Sequence, residues 1–132
     1  YGKIANNAQQ GAGNTDTNEH MVAFVNYTMG MVTAGYSEAA INNGKASAEH
    51  EYAKAFGIAA NINDSLSVSY GEREIEHTKA SAVHVTEDIK GYAIAYTMGS
   101  AKITAQKNET SNNGGTVNLS DETTQIALSL SF

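Results

Sequence analysis

Apolar and polar side chains alternate without a break at the C-terminus. Ile126, Leu128, Leu130 and Phe132 fall on one parity, and Gln125, Ala127, Ser129 and Ser131 fall on the other. Period two is the signature of a strand with one apolar face and one small, polar face. A helix would scatter those four apolar residues around its axis. The same pattern recurs upstream. Val25, Tyr27 and Met29 oppose Asn26 and Thr28, and Val32, Ala34 and Tyr36 oppose Thr33, Gly35 and Ser37. Phe56, Ile58, Ala60 and Ile62 oppose Ala55, Gly57, Ala59 and Asn61, and Leu66, Val68 and Tyr70 oppose Ser67, Ser69 and Gly71. Tyr92, Ile94, Tyr96 and Met98 oppose Ala93, Ala95 and Thr97, and Ala101, Ile103 and Ala105 oppose Lys102, Thr104 and Gln106. The pattern predicts about seven strands. An eighth, over residues 1–7, is short for a spanning strand.

The connections alternate in length. Met29-Gly30, Asn63-Asp64 and Met98-Gly99 read as tight hairpin turns, which favour Gly, Asn and Asp. The others are long and polar, at roughly residues 8–19, 42–50, 76–88 and 108–121. Tyr27-Thr28-Met29-Gly30 returns as Tyr96-Thr97-Met98-Gly99, each copy closing a strand into a tight turn. This is the layout of an antiparallel meander with one short-turn end and one long-loop end.

Composition narrows the classes. The 132 residues suit one domain or a piece of one, and include no cysteine. That excludes a disulfide framework, a thiolate zinc site and a cysteine nucleophile. The net charge of −6 speaks against a nucleic-acid partner. No apolar run approaches the roughly 20 residues of a spanning helix. The chain opens on Tyr1 without a basic, apolar leader, which reads as a processed chain or a fragment.

The parity opposite the apolar one is not charged, as the exterior of a soluble sandwich would be. It carries Ser, Thr, Ala, Gly, Asn and Gln, and charge is expected to collect in the long loops. Tyr27, Tyr36, Tyr70, Tyr96 and Phe132, with Tyr52, lie toward the strand ends on the apolar parity. Aromatic residues at both margins of an apolar band are what a membrane interface selects. A sheet spans lipid only when closed. The expectation is an antiparallel transmembrane β-barrel or part of one, against a soluble sandwich or an amyloid-like adhesin.

The closing segment, residues 124–132, resembles the last strand of Gram-negative outer-membrane barrels, with its terminal aromatic and alternate apolar positions. Ile126, Leu128, Leu130 and Phe132 are similar to the signal read by the barrel-assembly machinery. Residues 56–71 resemble the later strands of general porins of the alphaproteobacterial type. The resemblance implies a homotrimeric diffusion channel of roughly 16 strands in the bacterial outer membrane, in contact with its lipid. On that reading residues 1–132 are the C-terminal half of a longer barrel, and the loop that narrows a porin lies elsewhere. The alternative is a complete eight-stranded outer-membrane barrel with a structural or adhesive role.

A porin wall from these strands would be lined by Asn26, Thr28, Thr33, Ser67, Ser69, Lys102, Thr104, Gln106, Gln125 and Ser129. Such groups hydrate a lumen without holding a solute. No catalytic constellation and no cofactor are expected. His20, His50, His77 and His84 read as ordinary loop histidines, although His77 and His84 flank Lys79 and would share a metal if brought together. Glu72, Arg73, Glu74 and Glu76 read as a solvated charge run, with calcium in the outer loops as the alternative.

Overall fold

The structure, a computed structural model, describes residues 2–7, 17–42, 50–78 and 84–131. Its strands are β1 (Gly2–Asn7), β2 (Thr17–Met29), β3 (Val32–Asn42), β4 (His50–Asn61), β5 (Leu66–Thr78), β6 (His84–Met98), β7 (Ala101–Ser111) and β8 (Ser120–Leu130). All pair antiparallel with their chain neighbours, in one open sheet ordered β1 to β8. The only helical element among the described residues is a 3₁₀ turn, Asn113–Gly115. The expected all-β meander is present, with the expected short first strand. β1 pairs only with residues 17–22 of β2.

The short turns form for local reasons. Gly30 and Gly99 have φ of +59° and +60°, conformations that cost an L side chain energy, and each opens a two-residue loop. In the β4–β5 turn the Asn63 Oδ1 accepts from the amides of Ser65 and Leu66, both at 2.9 Å. A side-chain carbonyl there replaces a backbone acceptor.

The strands run farther toward the long loops than the alternation predicts. β5 continues to Thr78, β6 begins at His84, β7 continues to Ser111 and β8 begins at Ser120. The extra length was hidden by a change of phase. Gly35, Gly57, Gly71 and Gly91 stand in one register row across β3 to β6, with Asn26 and Asn108 on its flanks. On the turn side of this row, the apolar residues share a face with the tyrosines. On the loop side they move to the face of the glycines, as Val22, Phe24, Ile41, Ala53, Ile75, Val85 and Ile89. The backbone ladder is indifferent to this inversion and continues through it.

There is almost no conventional core. Ala53 and Val85 are the buried apolar residues and Glu87 the buried charged one, among the described residues. Val25, Tyr27, Met29, Ile126 and Leu128 are all more than three-fifths exposed. A single sheet with an apolar face this large is stable only when something apolar covers it.

Candidate functional site

The two faces of the sheet are the candidate site, and they differ sharply. Tyr27, Tyr36, Tyr52, Tyr70, Tyr92 and Tyr96 all lie on one, the tyrosine face. Its turn half is apolar. Its loop half is charged: one row reads Glu72, Lys90, Glu109 and Glu122, and the next Glu38, Lys54, Glu74 and Asp88. Charge therefore collects on the outer parts of the strands, and of these eight residues only Asp88 and Glu109 fall within the long connections expected from the sequence. Glu72, Glu74 and Glu76 share the tyrosine face, whereas Arg73 is on the other.

The border between apolar and charged zones is drawn diagonally. On β3 and β4 the last apolar residues before charge are Tyr36 and Phe56, which pair with each other. On β5 and β6 they are Tyr70 and Tyr92, one same-face row nearer the turns, because Phe56 pairs with Glu72. On β7 and β8 they are Ala105 and Ile126, one row nearer again, because Tyr92 pairs with Lys107. The short turns descend in parallel. The β2–β3 hairpin ends at the Met29–Val32 pair, β5 starts one row lower at Leu66, and the β6–β7 hairpin ends at Met98–Ala101, lower still. Backbone bonds stitch each turn to the strand beside it: Asn61 N donates to Met31 O at 2.9 Å, Thr97 N to Ser65 O at 2.8 Å, and Ser131 N to Ser100 O at 2.8 Å. The stripe thus drops two residues, about 6.6 Å, for every two strands, about 9.6 Å, which is a slope of about 35°.

Polar tips at the loopward border point away from the apolar stripe. The Tyr36 hydroxyl donates to Glu38 Oε1 at 2.8 Å and the Tyr70 hydroxyl to Glu72 Oε2 at 2.6 Å, each carboxylate lying two residues toward the loops. Tyr70 and Tyr92 rings meet at 5.1 Å across the strands. Lys107 reaches Glu109 at 2.7 Å and Glu122 at 3.3 Å. In the loop half, hydrogen bonds from Tyr36 and then Tyr52 hold the Glu38 carboxyl below the ordinary carboxylate range.

The ten residues named as a polar wall all lie on the glycine face, nine of them in the turn half. Thr28, Thr33, Ser69, Gln106 and Gln125 share one row, Ser67 and Thr104 another, and Lys102 pairs with Ser129 nearest the turns. Asn26 stands in the glycine row. Neighbours bond sideways, Thr28 Oγ1 to Thr33 Oγ1 at 3.0 Å and Gln106 Nε2 to Gln125 Oε1 at 2.6 Å. Ile126, Leu128 and Leu130 are exposed on the tyrosine face of β8, and Phe132 lies outside the described residues.

The histidines are strand residues, on β2, β4, β5 and β6. His77 lies on the glycine face and His84 on the tyrosine face, so the two do not meet. Sequence reasoning missed the partner His77 does have, the buried Glu87, 3.0 Å away. The clue was the alternation of Val85, Glu87 and Ile89, which continues a strand through a segment read as loop.

No family model, curated protein or solved structure matches this chain.

Proposed function

We propose that this sheet is a sector of a transmembrane β-barrel of the bacterial outer membrane, and that its glycine face lines a channel for passive diffusion of small hydrophilic solutes. The diagonal apolar stripe carries the reading. Strands of outer-membrane barrels cross the bilayer tilted by roughly 35–45°. A flat apolar slab cutting tilted strands leaves a stripe that slopes across the register rows at the tilt angle, and the slope here is about 35°. A soluble sheet has no cause to keep both borders of its apolar patch parallel at that angle. Tyrosines whose hydroxyls reach from the stripe into a charged zone suit a membrane–water interface. The small hydrogen-bonding side chains behind the stripe suit contact with water.

A second reading has its own support. In the loop half the glycine face turns apolar at Val22, Phe24, Ile75, Val85 and Ile89. That pattern fits a small eight-stranded barrel with a filled interior and a structural or adhesive role. Conductance across a planar lipid bilayer separates the two, using the full-length native protein purified from outer membranes. Stable ohmic steps support the channel, and their arrival in groups of three supports a trimeric porin. A silent bilayer with protein shown to be inserted sinks the channel reading and favours the filled barrel.

A further inference from the structure

Three adjacent strands contribute one ionisable side chain each to a cluster on the glycine face, near the long loops. His77 of β5 is nearly enclosed, with 16 % of its side chain exposed. Its Nε2 is 3.0 Å from Glu87 Oε2 of β6, and its Nδ1 is 3.6 Å from Glu51 Oε1 of β4. Glu87 is buried and Glu51 half exposed. One imidazole thus serves two carboxylates.

The β7–β8 connection, residues 112–119, lies against this imidazole. Gly115 is buried, and a Cβ there would stand 2.9 Å from His77 Cγ and 3.1 Å from its Cδ2. The connection is held in shape by Asn112. Its Nδ2 donates to Thr86 O of β6 at 2.8 Å, and its Oδ1 accepts from Asn118 N at 3.0 Å. Asn113 N donates to Leu119 O at 2.9 Å. No residue from 112 to 119 has a titratable side chain. The other ionisable groups on this face, among the described residues, are His20 of β2, in the same register row beyond Ile41, Arg73, four residues back along β5, Asp121 of β8, in the row of Arg73, Ile89 and Thr110, and Lys102 at the turn end of β7.

We infer that His77 is a proton-operated latch for the β7–β8 connection. With an imidazolium at residue 77, both ring nitrogens donate. The buried Glu87 carboxylate then has a counter-charge, and Glu51 is drawn to the opposite nitrogen. The ring is fixed from two sides and Gly115 seats on it. When the imidazole is neutral it has one donor, so one nitrogen turns a lone pair toward a carboxylate. Two negative charges then share a site without a counter-charge, and Glu87 stays buried only at a cost. The side chains rearrange toward water and the seat for Gly115 is lost. Histidine is the side chain that ordinarily titrates between pH 5 and 8. The connection is therefore docked over the glycine face while the imidazole carries the second proton and released when it does not. The latch works inside the described sheet and does not depend on closure into a pore. In the channel reading it narrows the loop-end mouth in acid.

Residues 1–132 include no cysteine, so Val117→Cys gives an attachment point unique within them on the exposed part of the connection, with any cysteine elsewhere in the full-length protein replaced by serine. A nitroxide there, on the full-length protein in detergent micelles, reports docking by electron paramagnetic resonance. Between pH 5.5 and 8.5 the ratio of immobilised to mobile label falls about tenfold, the factor for exchanging a charge-assisted hydrogen bond for a neutral one. In His77→Gln and in Glu87→Gln the ratio is flat across that range. Gly115→Ala, outside the strands, keeps the label mobile at every pH because its methyl collides with the ring. A pH-independent ratio in the parent protein overturns the latch. So does a pH response that persists in His77→Gln, or an immobilised population at pH 5.5 in Gly115→Ala.

Discussion

If the diagonal stripe faces lipid, a single arginine placed in it is costly and the same arginine one residue away is not. Ile94 tests this. It lies on the tyrosine face of β6 between Tyr92 and Tyr96 and is 47 % exposed. Its neighbours in the row are Val68 and Ala105. One row separates it from the loopward border at Tyr92, about 6.6 Å along the strand, or about 5 Å of depth at a 35° tilt. The full stripe on β6, from Tyr92 to Met98, is about 20 Å of strand and about 16 Å of depth between Cα levels. Ile94 is thus about a third of the way in. Lipid-facing arginines cost about 2–4 kcal/mol at the midplane of outer-membrane barrels and about 0–1 kcal/mol at the interface. Ile94→Arg is expected to cost about 2–3 kcal/mol, a roughly 30- to 150-fold loss in the folding equilibrium. Ala93→Arg places the same side chain on the glycine face, and Thr124→Arg places it just outside the stripe. Each is expected to cost about 1 kcal/mol or less. The assay is urea titration of the full-length protein folded into lipid vesicles, followed by its intrinsic fluorescence, to which residues 1–132 contribute tyrosine and no tryptophan. Equal costs for Ile94→Arg and Ala93→Arg would falsify the assignment of the stripe to lipid.

Three further outcomes follow from local geometry. Gly30→Ala and Gly99→Ala each force a Cβ into positive φ and are expected to lose about 1 kcal/mol in the same titration, with space to spare for the methyl itself. Gly35→Ala meets only Asn26 Oδ1, at 2.5 Å, the far end of an exposed side chain, and Gly71→Ala meets nothing closer than 3.5 Å, so in the same titration the first displaces the Asn26 amide at small cost and the second is accommodated without a shift. Tyr36→Phe removes the first of the hydrogen bonds that depress Glu38, so carbon NMR should show the Glu38 titration moving up toward the ordinary carboxylate range. Because that pKa is depressed in the fold, the stabilisation it brings is present above the ordinary carboxylate range and fades as pH falls through the Glu38 midpoint.

Much of this architecture could be read from period two alone. Strand identity, the tight turns at Gly30 and Gly99 and the division of side chains between two faces follow from steric preferences within a few residues. Strand length could not be read that way. In β5 the apolar series Leu66, Val68, Tyr70 is even-numbered and then yields to Ile75, which is odd. A reader following one phase stops at Gly71, while the hydrogen-bonded ladder, which has no preference for side chains, goes on to Thr78. The consequence reached the chemistry. With residues 76–88 taken as loop, His77 had no defined neighbour, and its pairing with Glu87 depends on a hairpin whose strands continue to Thr78 and His84. The seat of Gly115 on His77 joins residues 38 apart, and no local rule announces it.

If the apolar stripe faces lipid, its diagonal loopward border acts as a waterline. On that reading the wall below it is oily outside and wettable inside, and the wall above it is charged outside. A hull built this way trims itself. Pushed deeper, it would drown Glu72 and Lys90 in hydrocarbon, and lifted, it would bare Ile94 and Ile103 to water. On that reading its draught is set by the strands themselves. The inversion also depends on residue count. Deleting Gly71 from β5 would bring Tyr70 and Ile75 onto one face and erase the change of side.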